Sequence, residues 1–229
     1  MPGKRKGKNQ TVFFDPSAKI LVKTYSQIEN VEGDHYDIDY NKIMQKPPEY
    51  SDEDWQIINL VEFFHRMELL YTSCSLFCTT DTCPMFNAGP QYIYAWEDTD
   101  SSVTIQVSAP EYFSNLKRYI KRCLQDPSLI PSESWVKMSD EQHDVLKTCY
   151  RRLFRILAHL YICHFENISS IKEPNIVQIM NTILAHYSHF AIQNGLIEYK
   201  EVEMLQPVFI AINNNAGTNI CPTGDAQSS

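Results

Sequence analysis

Two pairs of metal-grade ligands, far apart in the chain, constrain this sequence more than any other feature. Cys78 and Cys83 lie within FCTTDTCPMFNAGPQYIYAW (77–96), with four residues between them and Pro84 directly after. His159 and His164 lie within AHLYICHF, again with four residues between them. Two thiolates and two imidazoles form a tetrahedral Cys2His2 donor set that suits Zn²⁺. Because the pairs are so widely separated, one ion would staple two distant elements of a single fold and would not close a small finger. Four protein ligands leave no vacancy for a water, so such a site is structural. The competing reading is two buried cysteines and two core histidines, since free Cys is among the most buried residue types.

The spacing leaves the ligand set open at two positions. His159 and His164 are five positions apart, about 140° around an ideal helix. The helix is therefore expected to end or distort near His164, or to place the ion at its terminus. Cys163 sits at i+4 from His159 and is the softer ligand, so it competes with His164. Cys74 competes more weakly with Cys78.

With 229 residues, 43% hydrophobic and 21% charged, the chain has the make-up of one globular domain. No apolar run approaches the roughly 18–20 residues of a membrane helix, so no direct membrane insertion is expected. The basic start, MPGKRKGKNQ, has no apolar stretch behind it and is not read as a secretory signal. The seven cysteines are then expected as thiols or metal ligands, not disulfides, in a cytoplasmic protein. A net charge of −8 disfavours nucleic acid and favours a basic partner.

The chain divides into a mobile N-terminal arm (1–25), a helical domain (26–212) and a disordered tail (213–229). In the arm, Thr11 has basic residues before it and Val12, Phe13 and Phe14 after it, in the manner of a kinase acceptor site. Residues 26–54 are strongly acidic and irregular, which reads either as a solvated loop or as a docking surface for a basic helix. Ser51-Asp-Glu-Asp54 then opens a helix that runs to about 71, with Trp55 and Glu62 toward its outer, N-terminal side. Residues 91–96 predict one strand, paired in a hairpin with 102–107. Helices are predicted over about 110–125, 139–166, 175–194 and 199–212. Ser139-Asp-Glu-Gln142 is a capping box for the longest of them. On that helix Arg151 and Arg155 share a face, with Arg152 beside it. The fold class is therefore all-α, a helical bundle with one small β-hairpin.

Catalytic motifs are missing. There is no Gly-rich phosphate loop, no H-E-x-x-H and no G-x-S-x-G. Cys163 and His164 cannot act as a nucleophile and its base, because i,i+1 side chains on a helix do not face each other.

These residues resemble the Mob (Mps-one-binder) family. F-C, four residues, C-P, then A-G-P and an aromatic strand ending at Trp96 are similar to its signature. So are Asp54-Trp55 before Val61-Glu62-Phe63-Phe64, Ser108-Ala-Pro110-x-Tyr112, and Arg152-Leu-Phe-Arg-Ile-Leu-Ala-His159 with His164-Phe165. The A-G-P and Y-A-W elements resemble the kinase-activator branch more than the phocein branch. The resemblance implies a Mob-like bundle and a structural zinc held by Cys78, Cys83, His159 and His164. It implies no catalysis, and a role as adaptor and allosteric activator of NDR/LATS-type AGC kinases in Hippo-like and mitotic-exit networks. Asp54, Trp55 and Glu62 would meet the kinase's basic N-terminal region. Arg151, Arg152 and Arg155 would bind a phosphorylated motif on an upstream kinase or scaffold, since adjacent guanidiniums clamp phosphate well. Thr11 falls where family members carry a phosphorylatable threonine. The same resemblance implies a cytoplasmic protein that also reaches the nucleus, spindle poles or cell cortex. The alternative it leaves is a phocein-like scaffold subunit of a phosphatase–kinase assembly.

Overall fold

Ser51 starts the first long helix. Its hydroxyl accepts the Asp54 N–H at 3.0 Å, and the Asp54 carboxylate accepts the Ser51 N–H at 3.2 Å, which closes a capping box. Asp52, Glu53 and Asp54 place negative charge on the positive end of the helix dipole. The computed structural model describes residues 12–13, 40–97, 103–171, 175–216, 219 and 221–222. In it a short helix, α1 (Tyr40–Met44), precedes α2 (Asp52–Ser73).

Three further long helices follow, each started by a side-chain cap. Ser108 caps α3 (Ala109–Gln125). Ser139 and Gln142 form the predicted capping box on α4 (Asp140–Ser169). Asn175 caps α5 (Ile176–Gln193) by accepting the Gln178 N–H at 3.0 Å. Gly195 ends α5 with φ +63°. The Gly195 N–H donates to Ile192 O at 3.0 Å and the Leu196 N–H to Ala191 O at 2.8 Å, a Schellman closure that needs a residue able to turn left-handed.

α4 is the axis of the bundle. Leu153, Ile156, Leu157, Ala158, His159 and Leu160 are all fully or almost fully buried. It packs against α2 and α5 on one side and α3 on the other. Phe63 of α2 is fully buried where the three meet, with ring edges toward Tyr150, His186, Tyr187 and Phe190. Three buried tyrosines keep their hydroxyls bonded. Tyr150 donates to Gln56 O at 2.8 Å, Tyr161 to Asn181 Oδ1 at 2.8 Å, and Tyr187 to Tyr150 O.

The predicted strand over 91–96 is in fact two. β2 (Tyr92–Ile93) pairs antiparallel with β1 (Val12–Phe13), Val12 opposite Ile93 and Phe13 opposite Tyr92. β3 (Trp96–Glu97) pairs antiparallel with β4 (Thr104–Ile105) as the expected hairpin, Trp96 opposite Ile105. Tyr94 divides them: its N–H donates to Phe86 O at 3.0 Å and its ring turns into the core. Val12 and Phe13 lie in the stretch assigned to a mobile arm, so for these two residues the arm reading is replaced by a strand pairing.

The end of the chain also differs from expectation. The helix predicted over 199–212 is broken into α6 (Tyr199–Val202), a 3₁₀ turn (Glu203–Leu205) and α7 (Gln206–Ala216). Pro207 has no N–H to donate to the preceding turn, and the chain tightens before restarting. α7 runs past Asn213, where the tail was expected to begin. Asn213 Nδ2 donates to Cys221 O at 3.1 Å and Cys221 N–H to Asn213 Oδ1 at 2.7 Å, with both residues buried. Within the run that reads as disorder, Asn213 and Cys221 are thus paired with each other.

Candidate functional site

The loop after α2 carries the thiols. Thr82 Oγ1 donates to Phe77 O at 2.7 Å and accepts the Thr79 N–H at 2.9 Å, so the threonines between the two cysteines tie the loop to itself. Cys78 and Cys83 then face α4. Cys78 Sγ lies 3.3 Å from His159 Nε2, Cys83 Sγ lies 3.2 Å from His164 Nε2, and the two Nε2 atoms are 3.1 Å apart. All four ligand atoms are buried and lie within 4.8 Å of one another, a set that can hold a metal ion.

The helix neither ends nor distorts at His164, contrary to the expectation from spacing. α4 continues to Ser169. The rings reach the same point from either side of the helix, at 73° to each other with centroids 4.9 Å apart. Imidazole is long enough to bridge the angular gap. Cys163 points elsewhere, with Sγ 3.3 Å from Asn87 Oδ1. Cys74 is buried outside the cluster.

The surroundings suit ligation. The Asn87 carbonyl can only accept, so His159 Nδ1 carries the proton at 2.6 Å and leaves the Nε2 lone pair for the site. Burial pushes His159 down to about 4, against the Asn87 hydrogen bond, and lowers His164 too. Both imidazoles are neutral at neutral pH. Burial pushes the Cys78 thiol up to about 12, although the Tyr71 hydroxyl 3.2 Å away favours the thiolate. The protein alone keeps this sulfur protonated, and a bound cation would supply the charge that ionises it.

The three arginines do not converge. Arg151 and Arg155 line one cleft of about 100 Å³ with Tyr92, Tyr94, Lys200 and Glu201. Arg151 Nη2 donates to Thr148 Oγ1 at 2.9 Å, and its Nε is 3.9 Å from a Glu201 carboxylate oxygen. Arg155 donates to the Tyr112 hydroxyl at 3.1 Å, with its guanidinium 5.0 Å from the centre of the Tyr94 ring. Arg152 turns the other way and is 6% exposed. Its guanidinium lies between the Trp96 and Tyr119 rings, at 4.2 and 4.4 Å, and donates to Glu97 O at 2.9 Å.

The acidic face is also divided. Asp54 is 9% exposed, and its carboxylate accepts the Trp135 N–H at 3.1 Å as well as the Ser51 N–H. Trp135 has φ +65°, a left-handed conformation rare for a bulky residue, and Asp54 pins it there. Burial alone would raise the Asp54 pKa. Hydrogen bonds from the Ser51 hydroxyl and the Trp135 and Ser51 N–H groups, with the Lys46 charge, outweigh it and hold the carboxyl below its ordinary value. Asp52 is paired with Lys46 at 2.8 Å.

Trp55 and Glu62 do meet, in a groove of about 700 Å³ between α2 and α5. Trp55 stacks on Tyr50 and Glu62 pairs with Arg66 at 2.7 Å. Two residues that sequence reasoning missed complete this wall. Arg66 Nη1 is 3.1 Å from His186 Nδ1. Arginine has only donors, so His186 Nδ1 accepts and its proton sits on Nε2, which is buried without a hydrogen bond. The i,i+4 spacing of Glu62 and Arg66 was a legible signal, whereas nothing local points to His186. Lys200 and Glu201 were missed for the same reason. Thr11 and residues 14–39, with most of the predicted acid run, lie outside the described residues.

A helical domain whose thiol-bearing loop and central helix share a buried Cys2His2 cluster, with a cationic cleft beside it, is the class defined here. Residues 34–205 match the Mob1/phocein family, and the chain belongs to that family. It is 38% identical over 167 residues to MOB kinase activator-like 1A of Arabidopsis thaliana, covering 72% of this chain and 76% of that protein. Against MOB kinase activator-like 1B of the same plant it is 35% identical over 208 residues, 90% of this chain and 95% of the relative. MOB kinase activator-like 1 homolog B of Dictyostelium discoideum is 37% identical over 161 residues, with 69% and 73% covered.

Proposed function

We propose that this protein is a non-catalytic adaptor and allosteric co-activator of an NDR/LATS-type serine/threonine kinase. The observation that carries this reading is the Mob1/phocein match across the described helical domain, to relatives named kinase activators. The Cys2His2 cluster would hold Zn²⁺. A tetrahedral site with bonds of about 2.0–2.3 Å has ligand–ligand edges of about 3.3–3.8 Å. The 3.1–3.3 Å separations here lie within a few tenths of an ångström of that range. Zn²⁺ would then join the loop to α4 without a vacancy for substrate.

Trp55 and Glu62 would receive the kinase's basic N-terminal segment, and Asp54 would contribute by fixing the Trp135 loop at the same end of α2. Arg151 and Arg155, with Lys200, would clamp a phosphorylated motif from an upstream kinase or scaffold, displacing Glu201. Arg152 would support them by tying β3 to α4. Activation would then be differential binding, a coupling of roughly 1–3 kcal/mol in favour of the active kinase. Phosphorylation of Thr11, beside β1, would release the arm from β2 at the lip of the arginine cleft and so remove an autoinhibitory contact. The protein would work in the cytoplasm and at the nucleus, spindle poles or cortex, within Hippo-like or mitotic-exit signalling.

The test is a titration of the full chain with a basic segment from an NDR-type kinase and, separately, with a phosphothreonine peptide. Glu62→Lys should weaken only the first and Arg151→Ala only the second. If neither peptide binds at moderate salt, or both variants bind as the unaltered chain does, the proposal fails.

A further inference from the structure

The β3–β4 hairpin and α3 border an open depression of about 430 Å³ that shares no lining residue with the Trp55 groove or the Arg151–Arg155 cleft. Trp96 and Ile105 are cross-strand partners, so their side chains lie on one face of the hairpin, and both line the depression. Tyr119, Arg118 and Arg122 line it from α3. Trp96 and Tyr119 are buried and form its floor, with ring centroids 6.2 Å apart in an edge-to-face contact. The Arg152 guanidinium lies against both rings, at 4.2 and 4.4 Å.

Two features describe what fits here. The first is charge. In a chain of net charge −8, Lys117, Arg118, Lys121 and Arg122 lie together on α3. Lys117 pairs with Glu68 at 3.5 Å, whereas Arg118 donates to Asn115 Oδ1, a neutral acceptor. Arg118 and Arg122 are exposed and share a face of the helix. Under the floor, Arg152 Nη1 is buried and makes no hydrogen bond. Glu111 also lines the depression, but it lies about 10 Å from Arg118 along the helix axis, which leaves the C-terminal half positive. The second feature is an open edge. Among the described residues β4 pairs with β3 alone, and Thr104, Ile105 and Gln106 are exposed. Such an edge is a template for another strand.

We propose that β4 and the C-terminal half of α3 form a docking site for an extended acidic segment of a partner protein, which adds to β4 as a third strand and sets a carboxylate against Arg118 and Arg122. Side chains of an added strand alternate between faces. The one opposite Ile105 continues the Trp96–Ile105 row and is carried out over α3. Residues two places before and after it share that face, so the segment carries acids at alternate positions. Main-chain hydrogen bonds to β4 supply affinity, and the arginines supply selectivity and steering. A hollow beside a strand edge accommodates a chain, whereas an anionic membrane would need a flat or convex basic face.

The experiment titrates the full chain with a fluorescein-labelled synthetic heptapeptide of alternating Glu and Thr, beginning and ending with Glu, followed by anisotropy. Saturable binding is expected, weakening as salt rises. Arg118→Ala with Arg122→Ala should weaken it about ten-fold, and Arg151→Ala should leave it unchanged. N-methylating the peptide's backbone amides should also weaken it about ten-fold on the unaltered chain. Both arginines are exposed, so the double variant should fold, which circular dichroism checks; if it does not, the N-methylated peptide decides. No binding at low salt overturns the proposal. So does equal binding by the folded double variant, equal binding of the N-methylated peptide, or an equal loss in Arg151→Ala. Binding of the chain to phosphatidylserine vesicles but not to the peptide would assign the basic face to a membrane and overturn it as well.

Discussion

Replacing Asp54 with alanine separates a binding acid from a structural one. The change removes the acceptor for the Ser51 N–H, half of the capping box, which is worth about 1 kcal/mol. It also leaves the Trp135 N–H without its acceptor, for about 1 kcal/mol more where the site is partly wetted. Relaxation of Trp135 from φ +65° returns some of that. The sum is about 2 kcal/mol, and with a urea slope of about 2.5 kcal/mol/M the unfolding midpoint should fall by roughly 0.8 M. Asp54→Asn, which keeps the shape and loses the charge, should cost about half as much. The pH dependence has a definite sign. The folded-state pKa lies below the ordinary 3.8, so the carboxylate's contribution is fully present above that value and is lost as pH falls through the lower, folded pKa. The gap between the unaltered chain and Asp54→Asn should therefore narrow below pH 3.8. Urea unfolding by fluorescence across pH 3–7, with a kinase-segment titration at neutral pH, measures both quantities. An Asp54→Ala chain that keeps its urea midpoint but loses the kinase segment would refute this argument and make Asp54 a surface ligand.

Prolonged chelation should lower the thermal midpoint by roughly 10 °C, followed by calorimetry, because a structural ion's binding energy is folding energy. Cys83→Ser should bind metal far more weakly by elemental analysis. Phe63→Ala empties a fully buried site between three helices and should cost about 3–5 kcal/mol in denaturant unfolding. Gly89→Ala should cost about 1–3 kcal/mol, since φ is +75° and a Cβ there would sit 3.0 Å from Ile162 Cγ2. Arg151→Ala should weaken a phosphothreonine peptide about ten-fold or more by calorimetry while moving the unfolding midpoint little, because its side chain is only partly buried.

Local chemistry was legible in the sequence; direction in space was not. Ser51 and Ser139 announced their helices because a cap acts within three residues of itself. The apolar periods of α2 through α5 were equally plain. The Cys2His2 set could be named from residue types, but spacing could not choose His164 over Cys163, because the choice rests on ring reach and on the acceptor Asn87 offers to Cys163. Adjacent arginines looked like one cluster because sequence shows neighbours, whereas Trp96 and Tyr119 draw Arg152 to another face. Asp54 looked like a free acid because its partner, Trp135, is remote in the chain. The pairing of Asn213 with Cys221 was not legible because one paired asparagine leaves no periodic trace.

The Cys2His2 cluster, which can hold a metal ion, is tied to the cationic cleft by one short route. His159 donates to the carbonyl of Asn87, and Asn87 forms a β-bridge with Ile93. Ala88 N–H donates to Tyr92 O at 2.8 Å, so the same short loop sets the position of Tyr92 and Tyr94, which wall the cleft. Arg155 stands one turn before His159 on α4, on the same face. Both sides of the cleft are therefore referred to a single histidine whose orientation the ligands fix. Loosening the cluster would first free the loop bearing Asn87, since α4 is held independently by α2, α3 and α5. A metal-stripped chain should then lose phosphopeptide affinity at temperatures where its helices remain folded. Equal losses of helix signal and affinity would show instead that the ion supports the whole bundle and has no special hold on the cleft.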